Sequence, residues 1–150
     1  MNKFMKVAIK EATKGINAHD GGPFGCVIVK DGKIIAKAHN QVLKKHDATC
    51  HGEMEAIRKA SKKLGTFDLS GCELYTTGEP CPMCLGAILW AKIDKVYYGA
   101  NIKDTEVIGF DDKRFYEQFE HKELILNELD REACLKLYED YSSIENNEHY

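Results

Sequence analysis

The sequence predicts an α/β domain with a partly parallel sheet covered by helices. Three observations carry this. Short β-branched and apolar runs alternate with stretches whose apolar residues recur at helical spacing. An Asp-Gly turn joins the first two runs, which makes them an antiparallel hairpin. The second half then reads strand, helix, strand, helix, strand, an order that needs parallel neighbours. With 150 residues, 43% of them hydrophobic and 30% charged, the chain is expected to form one globular domain (1–150) with a full core.

The elements follow in order. Phe4, Met5, Ala8, Ile9 and Ala12 mark an amphipathic helix from Lys3 to about Asn17. Gly21-Gly22-Pro23-Phe24-Gly25 is a turn. Cys26–Val29 is a buried strand, Lys30-Asp31-Gly32-Lys33 its hairpin turn, and Ile34–Ala38 the returning strand. The polar stretch 40–49 reads as a loop. Met54, Ile57, Ala60 and Leu64 line one face of a helix from Gly52 that Gly65 ends.

Cys72–Thr77 is a third strand, and Pro82 opens a helix running to about Ala91. Lys95–Ala100 is a fourth strand. Residues 101–119 show no clear period, and Leu124-Ile125-Leu126 is a candidate fifth strand. A helix from Asp130 to about Ser143 carries Ala133, Leu137 and Tyr138 on one face. By composition alone, 145–150 is a frayed polar tail.

A net charge of −3 provides no general electrostatic footprint for nucleic acid. The N-terminal residues lack the apolar run of a signal peptide, and no stretch approaches a membrane span. A cytoplasmic protein is therefore expected, without membrane partners. Six cysteines in that setting read as reduced thiols or metal ligands. Cys26, Cys72 and Cys134 read as buried packing residues. Cys50, next to His51, stays open between packing and the metal region.

Chemistry concentrates in His51-Gly52-Glu53 and, thirty residues on, Glu79-Pro80-Cys81-Pro82-Met83-Cys84. His51, Cys81 and Cys84 are three zinc-type ligands, which leaves the fourth tetrahedral position for water, as in catalytic sites. The Cys-x-x-Cys pair brackets a helix start, where the dipole favours thiolates. Glu53, two residues beyond His51, approaches that open position without occupying it. A carboxylate there can take a proton from water and return it to a leaving amine. Glu55 is turned to another helix face and reads as a surface or supporting residue. A lone Cys-x-x-Cys is a structural zinc half-site or redox pair as readily, and a lone His at a helix start a cap. Their combination is the more specific signal. His19, His39, His46 and His121 have no ligand spacing and read as surface or loop residues.

The pattern His-x-Glu…Pro-Cys-x-x-Cys is that of the zinc deaminases. With the Gly21–Gly25 turn, the Val-Ile-Val-Lys-Asp-Gly hairpin, Glu79–Gly86, Gly109-Phe110-Asp111-Asp112 and Tyr150, the chain resembles the cytidine deaminase superfamily. Within it, the likeness is closest to small bacterial guanine deaminases. The resemblance implies a three-layer α/β/α fold with a central five-stranded mixed sheet. It implies one Zn2+ per subunit on His51, Cys81 and Cys84, with Glu53 as proton shuttle.

The same resemblance implies a small purine base as partner and guanine hydrolysis to xanthine and ammonia as the reaction. It matches Asn40 and Phe24 to base contacts, and Asp112 to the guanine amino group and proton transfer. By residue type alone Asn40 is a loop cap, Phe24 a core residue, and Asp111 with Asp112 a solvated pair. Trp90 is a candidate pocket residue or core packing. The family also implies a homodimer that exchanges C-terminal segments, with Tyr150 over the partner's site. Gly52 departs from the family's usual alanine. A tRNA adenosine deaminase is the alternative, although the C-terminal segment here is acid-rich. Another base or nucleoside, or a non-catalytic zinc module, are further alternatives. A structural zinc does not need Glu53.

Overall fold

Asn2 starts the first helix by accepting hydrogen bonds from the Phe4 and Met5 amides at 2.8 and 3.1 Å. A computed structural model describes residues 1–121 and 126–146. The chain divides into two compact units, Met1–Tyr116 and Glu117–Tyr150. In the first unit, helix α1 (Lys3–Asn17) buries Ala8, Glu11, Ala12 and Gly15. Ile9, expected on that face, is exposed.

Strands β1 (Gly25–Lys30) and β2 (Lys33–His39) form the predicted hairpin. Asp31 and Gly32 both have positive φ, 49° and 72°, as a type I′ turn requires. The segment 40–49 is not all loop, because α2 (Val42–Lys45) forms inside it. Four residues are too few for a helical period to show in sequence. Helix α3 (Gly52–Leu64) ends at Gly65, left-handed with φ 69°, as predicted. Strand β3 (Cys72–Gly78), helix α4 (Pro82–Trp90) and strand β4 (Lys95–Ala100) follow.

The sheet order is β2-β1-β3-β4, with β1 antiparallel to both neighbours and β3 parallel to β4. Alternation along β1 makes two cores. Cys26 and Ile28 pack with Leu74, Ile88 and the α3 residues Ala56 and Ala60. Val27 and Val29 face the other way, onto Tyr75 and Ala8 of α1. Helices thus cover both sheet faces.

The expected fifth strand is a correction. Among the described residues the sheet has four strands. Leu124 and Ile125 lie outside the described residues, and Leu126 is in no strand. After β4 the chain turns straight into helix. Asn101 accepts from the Lys103 and Asp104 amides while Asp104 accepts from the Asn101 amide, a complete capping box. Helices α5 (Ile102–Val107) and α6 (Lys113–Phe119) occupy the stretch that had shown no period. The second unit holds α7 (Arg131–Ser142), within the predicted span. Among the described residues, no helix is long and apolar enough to cross a membrane.

Helix α1 lies so close to β1 that a Cβ on Gly25 would collide with the Ala8 carbonyl and Ala12 amide. Gly86 in α4, by contrast, faces open space. Gly25→Ala is therefore expected to lower unfolding free energy by about 1–3 kcal/mol, through overpacking. Gly86→Ala is expected to be neutral or to stabilise by up to about 1 kcal/mol. Urea titrations of both variants read the contrast directly.

Candidate active site

His51 and Cys81 are the N-cap residues of α3 and α4, both with extended backbone and neither using its side chain to cap. Their side chains are therefore left for something else. Pro82 sets the first turn of α4, and one turn on brings Cys84 alongside Cys81. His51 Nδ1 lies 3.6 Å from both the Cys81 and the Cys84 sulfur. All three donor atoms fall within 4.8 Å of one another.

One ring N–H cannot point at two sulfurs, so a shared cation explains the spacing better than hydrogen bonding. Bonds of about 2.0–2.1 Å to nitrogen and 2.3 Å to sulfur around tetrahedral zinc put the two donors about 3.5–3.6 Å apart. The residues fit the ion. The electrostatics agree. Hydrogen bonding from Cys84, helped by His51, holds the Cys81 thiol far below the ordinary thiol range. The same Cys81 thiolate, with burial, pushes Cys84 up. The contact with Cys81 also raises His51.

Glu53 is 5% exposed, on the first turn of α3. Thr76 Oγ1 of β3 donates to its Oε1 at 3.3 Å, and the Cys84 thiol to its Oε2 at 3.5 Å. Burial is the largest cause of its raised pKa. Such a carboxyl exchanges a proton closer to neutrality than a solvated one.

These groups open onto a cavity of about 240 Å³. That is just below the usual ~300–1,000 Å³ of drug-sized sites, a volume for one small ring system. Phe24, Asn40, His51, Glu53, Cys81 and Asp112 all line it. Trp90 is not among the lining residues; it sits at the end of α4, 65% exposed. Tyr150 lies outside the described residues.

Asn40 is 4% exposed, and its Oδ1 accepts from the Val42 amide at 3.0 Å. That bond orients the amide and leaves its NH2 as the group for a ligand. Asp112 is raised by burial first and then by the Cys81 thiolate. Asp111 is exposed and accepts from the Arg114 amide at 3.3 Å, a local cap.

The sequence missed several lining residues. Gly21 and Gly22 supply bare backbone: a Cβ on Gly21 would strike the Asn40 amide, and one on Gly22 the Phe24 and Phe110 rings. Phe110 meets Phe24 edge-on, centroids 5.1 Å apart. The Gly-Phe-Asp-Asp context was the available signal for it. Glu79 also lines the cavity and accepts from the Ile102 amide at 2.9 Å, fixing the start of α5. Gly52 gains a reason too, because a Cβ there would lie 3.1 Å from the Phe24 carbonyl oxygen.

Three further expectations are refined. Cys50 is buried and stands outside the donor set, with Arg58 Nη1 at 3.7 Å from its sulfur. Glu55 is 4% exposed rather than at the surface, paired with Lys45 at 2.7 Å and Arg58 at 2.8 Å. His39 is not a surface residue either, since Asp20 holds it at 2.7 Å.

Fold and site together define a zinc-binding deaminase domain. Residues 1–100 match the family model for the cytidine and deoxycytidylate deaminase zinc-binding region, and the chain belongs to that family. A guanine deaminase of Bacillus subtilis strain 168 is 52% identical over 117 residues, 78% of this chain and 75% of that protein. A crystal structure of guanine deaminase from Bacillus subtilis matches with a TM-score of 0.93 and 43% identity, over 100% of this chain and 99% of the other. A tRNA-specific adenosine deaminase of Aquifex aeolicus is 47% identical over 97 residues, 65% of this chain and 64% of its own. A further solved structure, holding 2,6-diaminopurine, matches with a TM-score of 0.69 and 36% identity, over 73% of this chain and 61% of that one.

The proton on Cys84 must leave for both sulfurs to bind a metal as thiolates. Zinc affinity of the metal-free protein is therefore expected to rise with pH and to fall on acidification. Calorimetry in buffers of different ionisation enthalpy should register proton release on zinc uptake. Cys81→Ser should weaken uptake at every pH.

Proposed function

We propose that this chain is a zinc-dependent aminohydrolase that converts guanine and water to xanthine and ammonia. The observation that carries the reading is Glu53, a buried carboxyl beside three soft donors on the floor of a cavity sized for one small ring system. Whole-length similarity to a guanine deaminase structure supports guanine as the base.

The chemistry zinc supplies when bound, one ion per subunit, is Lewis acidity that brings the pKa of water towards neutrality. His51, Cys81 and Cys84 hold it. Glu53 takes a proton from the attacking water as the oxygen adds to the amino-bearing ring carbon. It delivers that proton to the ring nitrogen and then moves the second proton, from the added oxygen, to the departing amine, so the C–N bond breaks, the carbonyl forms and ammonia leaves. Asn40 offers its NH2 to an acceptor on the ring. Asp112 faces the exocyclic amino group and assists its protonation. Phe24, with Phe110 against it, forms an apolar wall for the base.

The same reading includes a homodimer in which the C-terminal segment covers the partner's cavity and Tyr150 touches substrate. Exposed Leu85, Leu89, Trp90, Tyr97 and Tyr98 along α4 and β4 support an assembled form. Thiolate ligands fit a reducing compartment, the cytoplasm, and guanine as the substrate would give the chain a role in purine metabolism. A second reading, tRNA adenosine deamination, is favoured by the Aquifex relative. The net charge of −3 weighs against it.

One assay separates them: ammonia release from guanine, adenine, cytosine, guanosine, cytidine and tRNA by the zinc-loaded protein. Guanine is expected to be the preferred substrate; preference for tRNA, with tight, salt-sensitive binding, would replace this reading by the second. Glu53→Gln should retain zinc and lose about 10²–10⁴-fold in kcat. Full activity in that variant would sink the proton-shuttle role. Deleting Tyr150 should raise KM for guanine, and unchanged kinetics would remove the lid.

A further inference from the structure

We infer that His39 and Asp20 form a positioning pair that holds Asn40 and the Val42–Leu43 wall in place at the base cavity. The inference rests on the guanine deaminase reading above.

His39 ends β2, one residue before Asn40, and is not among the residues lining the cavity. Its ring passes over α1 at Gly15, where an added Cβ would come within 2.6 Å of the ring, so glycine makes the notch. A carboxylate only accepts, so His39 Nε2 donates to Asp20 Oδ2, at 2.7 Å. His39 Nδ1 is buried without a hydrogen-bond partner, 3.6 Å from Glu11 Oε2. Both carboxylates are buried. The other charged groups facing the cluster are Lys14 and Lys37, on Glu11, and Lys44, on Asp20.

Burying such a cluster is costly and rarely improves stability over apolar packing. Its connections point to a different use. The Asp20 carbonyl accepts from the Leu43 and Lys44 amides at 3.0 and 3.1 Å, so one residue grips β2 by its side chain and α2 by its backbone. The next residue, Gly21, lies so close to the Asn40 amide that an added Cβ would strike it. Asn40 in turn accepts from the Val42 amide, which closes the ring of contacts. The cavity side of this ring is Gly21, Asn40, Val42 and Leu43; the rear is His39 and Asp20. Glu53 and the three donors belong to α3 and α4, outside the ring. Loosening the rear should therefore disturb how the base is held and leave the proton-transfer machinery alone.

The test uses the zinc-loaded full chain, with steady-state kinetics on guanine and calorimetric binding of xanthine as a non-reacting base. His39→Leu is expected to raise KM and the xanthine Kd roughly tenfold, with kcat within about twofold of the parent. His39→Gln, which keeps a donor for Asp20, should recover most of the loss. In a double-mutant cycle, His39→Leu with Asn40→Ala should lose less xanthine affinity than the sum of the two single variants, because part of the His39 effect passes through Asn40.

A fall in Tm with KM and Kd unchanged, or additive losses in the cycle, would overturn the proposal. If His39→Leu does not fold, Asp20→Asn asks the same question. It keeps the shape, weakens the grip, and should raise KM with kcat held; unchanged KM would again overturn the pair. Should the parent leave guanine intact, the guanine reading fails. The same KM and kcat split, measured on whichever base it does deaminate, then decides the role of the pair.

Discussion

Two helix starts meet at one point, and the rest of the site depends on that meeting. α3 and α4 each begin at an N-cap residue whose side chain makes no cap, and the His51 and Cys81 side chains share a common centre instead. The positive ends of two helix dipoles converge where thiolate charge gathers, which adds to the help that His51 gives the ionised sulfur. The sheet makes the meeting possible. β1 pairs antiparallel with both β2 and β3, so those two strands run the same way on either side of it and the segments leaving them emerge at the same end of the sheet. Thr76 on β3 then supports Glu53 from below. Reaction chemistry is thereby tied to the most buried part of the sheet.

The other half of the site is built differently. The wall that would meet a base is made of two short connecting stretches, Gly21 to Phe24 and Asn40 into the first turn of α2 at Val42 and Leu43, held by polar groups behind it. Two ion-pair systems flank this wall. Glu55 with Lys45 and Arg58 ties α2 to α3, and Asp20 with His39 ties it to the end of β2. Both include carboxylates buried deeply enough that losing a partner would strand a charge. Such groups restrict a short helix that would have little stability of its own.

Much of this was legible in the sequence, for identifiable reasons. The hairpin was readable because Asp31-Gly32 is a local code for a tight turn. The helix after His51 was readable because Met54, Ile57, Ala60 and Leu64 keep one face and Gly65 stops it. The metal set was readable because ligand type and spacing are both local properties. What escaped depends on contacts between distant segments. His39 and Glu55 look like ordinary polar residues until Asp20, Lys45 and Arg58 are folded against them. Phe110 gains meaning only beside Phe24. The four-residue α2 is below the length at which a period exists. The fifth strand was suggested by an apolar triplet and by analogy, and the described sheet ends at β4.

The glycines of the cavity wall have a consequence for how such a site could change over evolutionary time. Where side chains shape a pocket, substitutions can trim or extend it one residue at a time. Here Gly21 and Gly22 have nothing to trim, and any addition meets Asn40, Phe24 or Phe110 at once. The contour on that side is written in the path of the main chain. A shift to a larger substrate would then require insertion, deletion or rerouting of the loop, a rarer event than point substitution. That wall is accordingly slow to change, and drift in substrate preference is channelled to lining positions that do carry side chains to exchange, such as Val42 and Leu43.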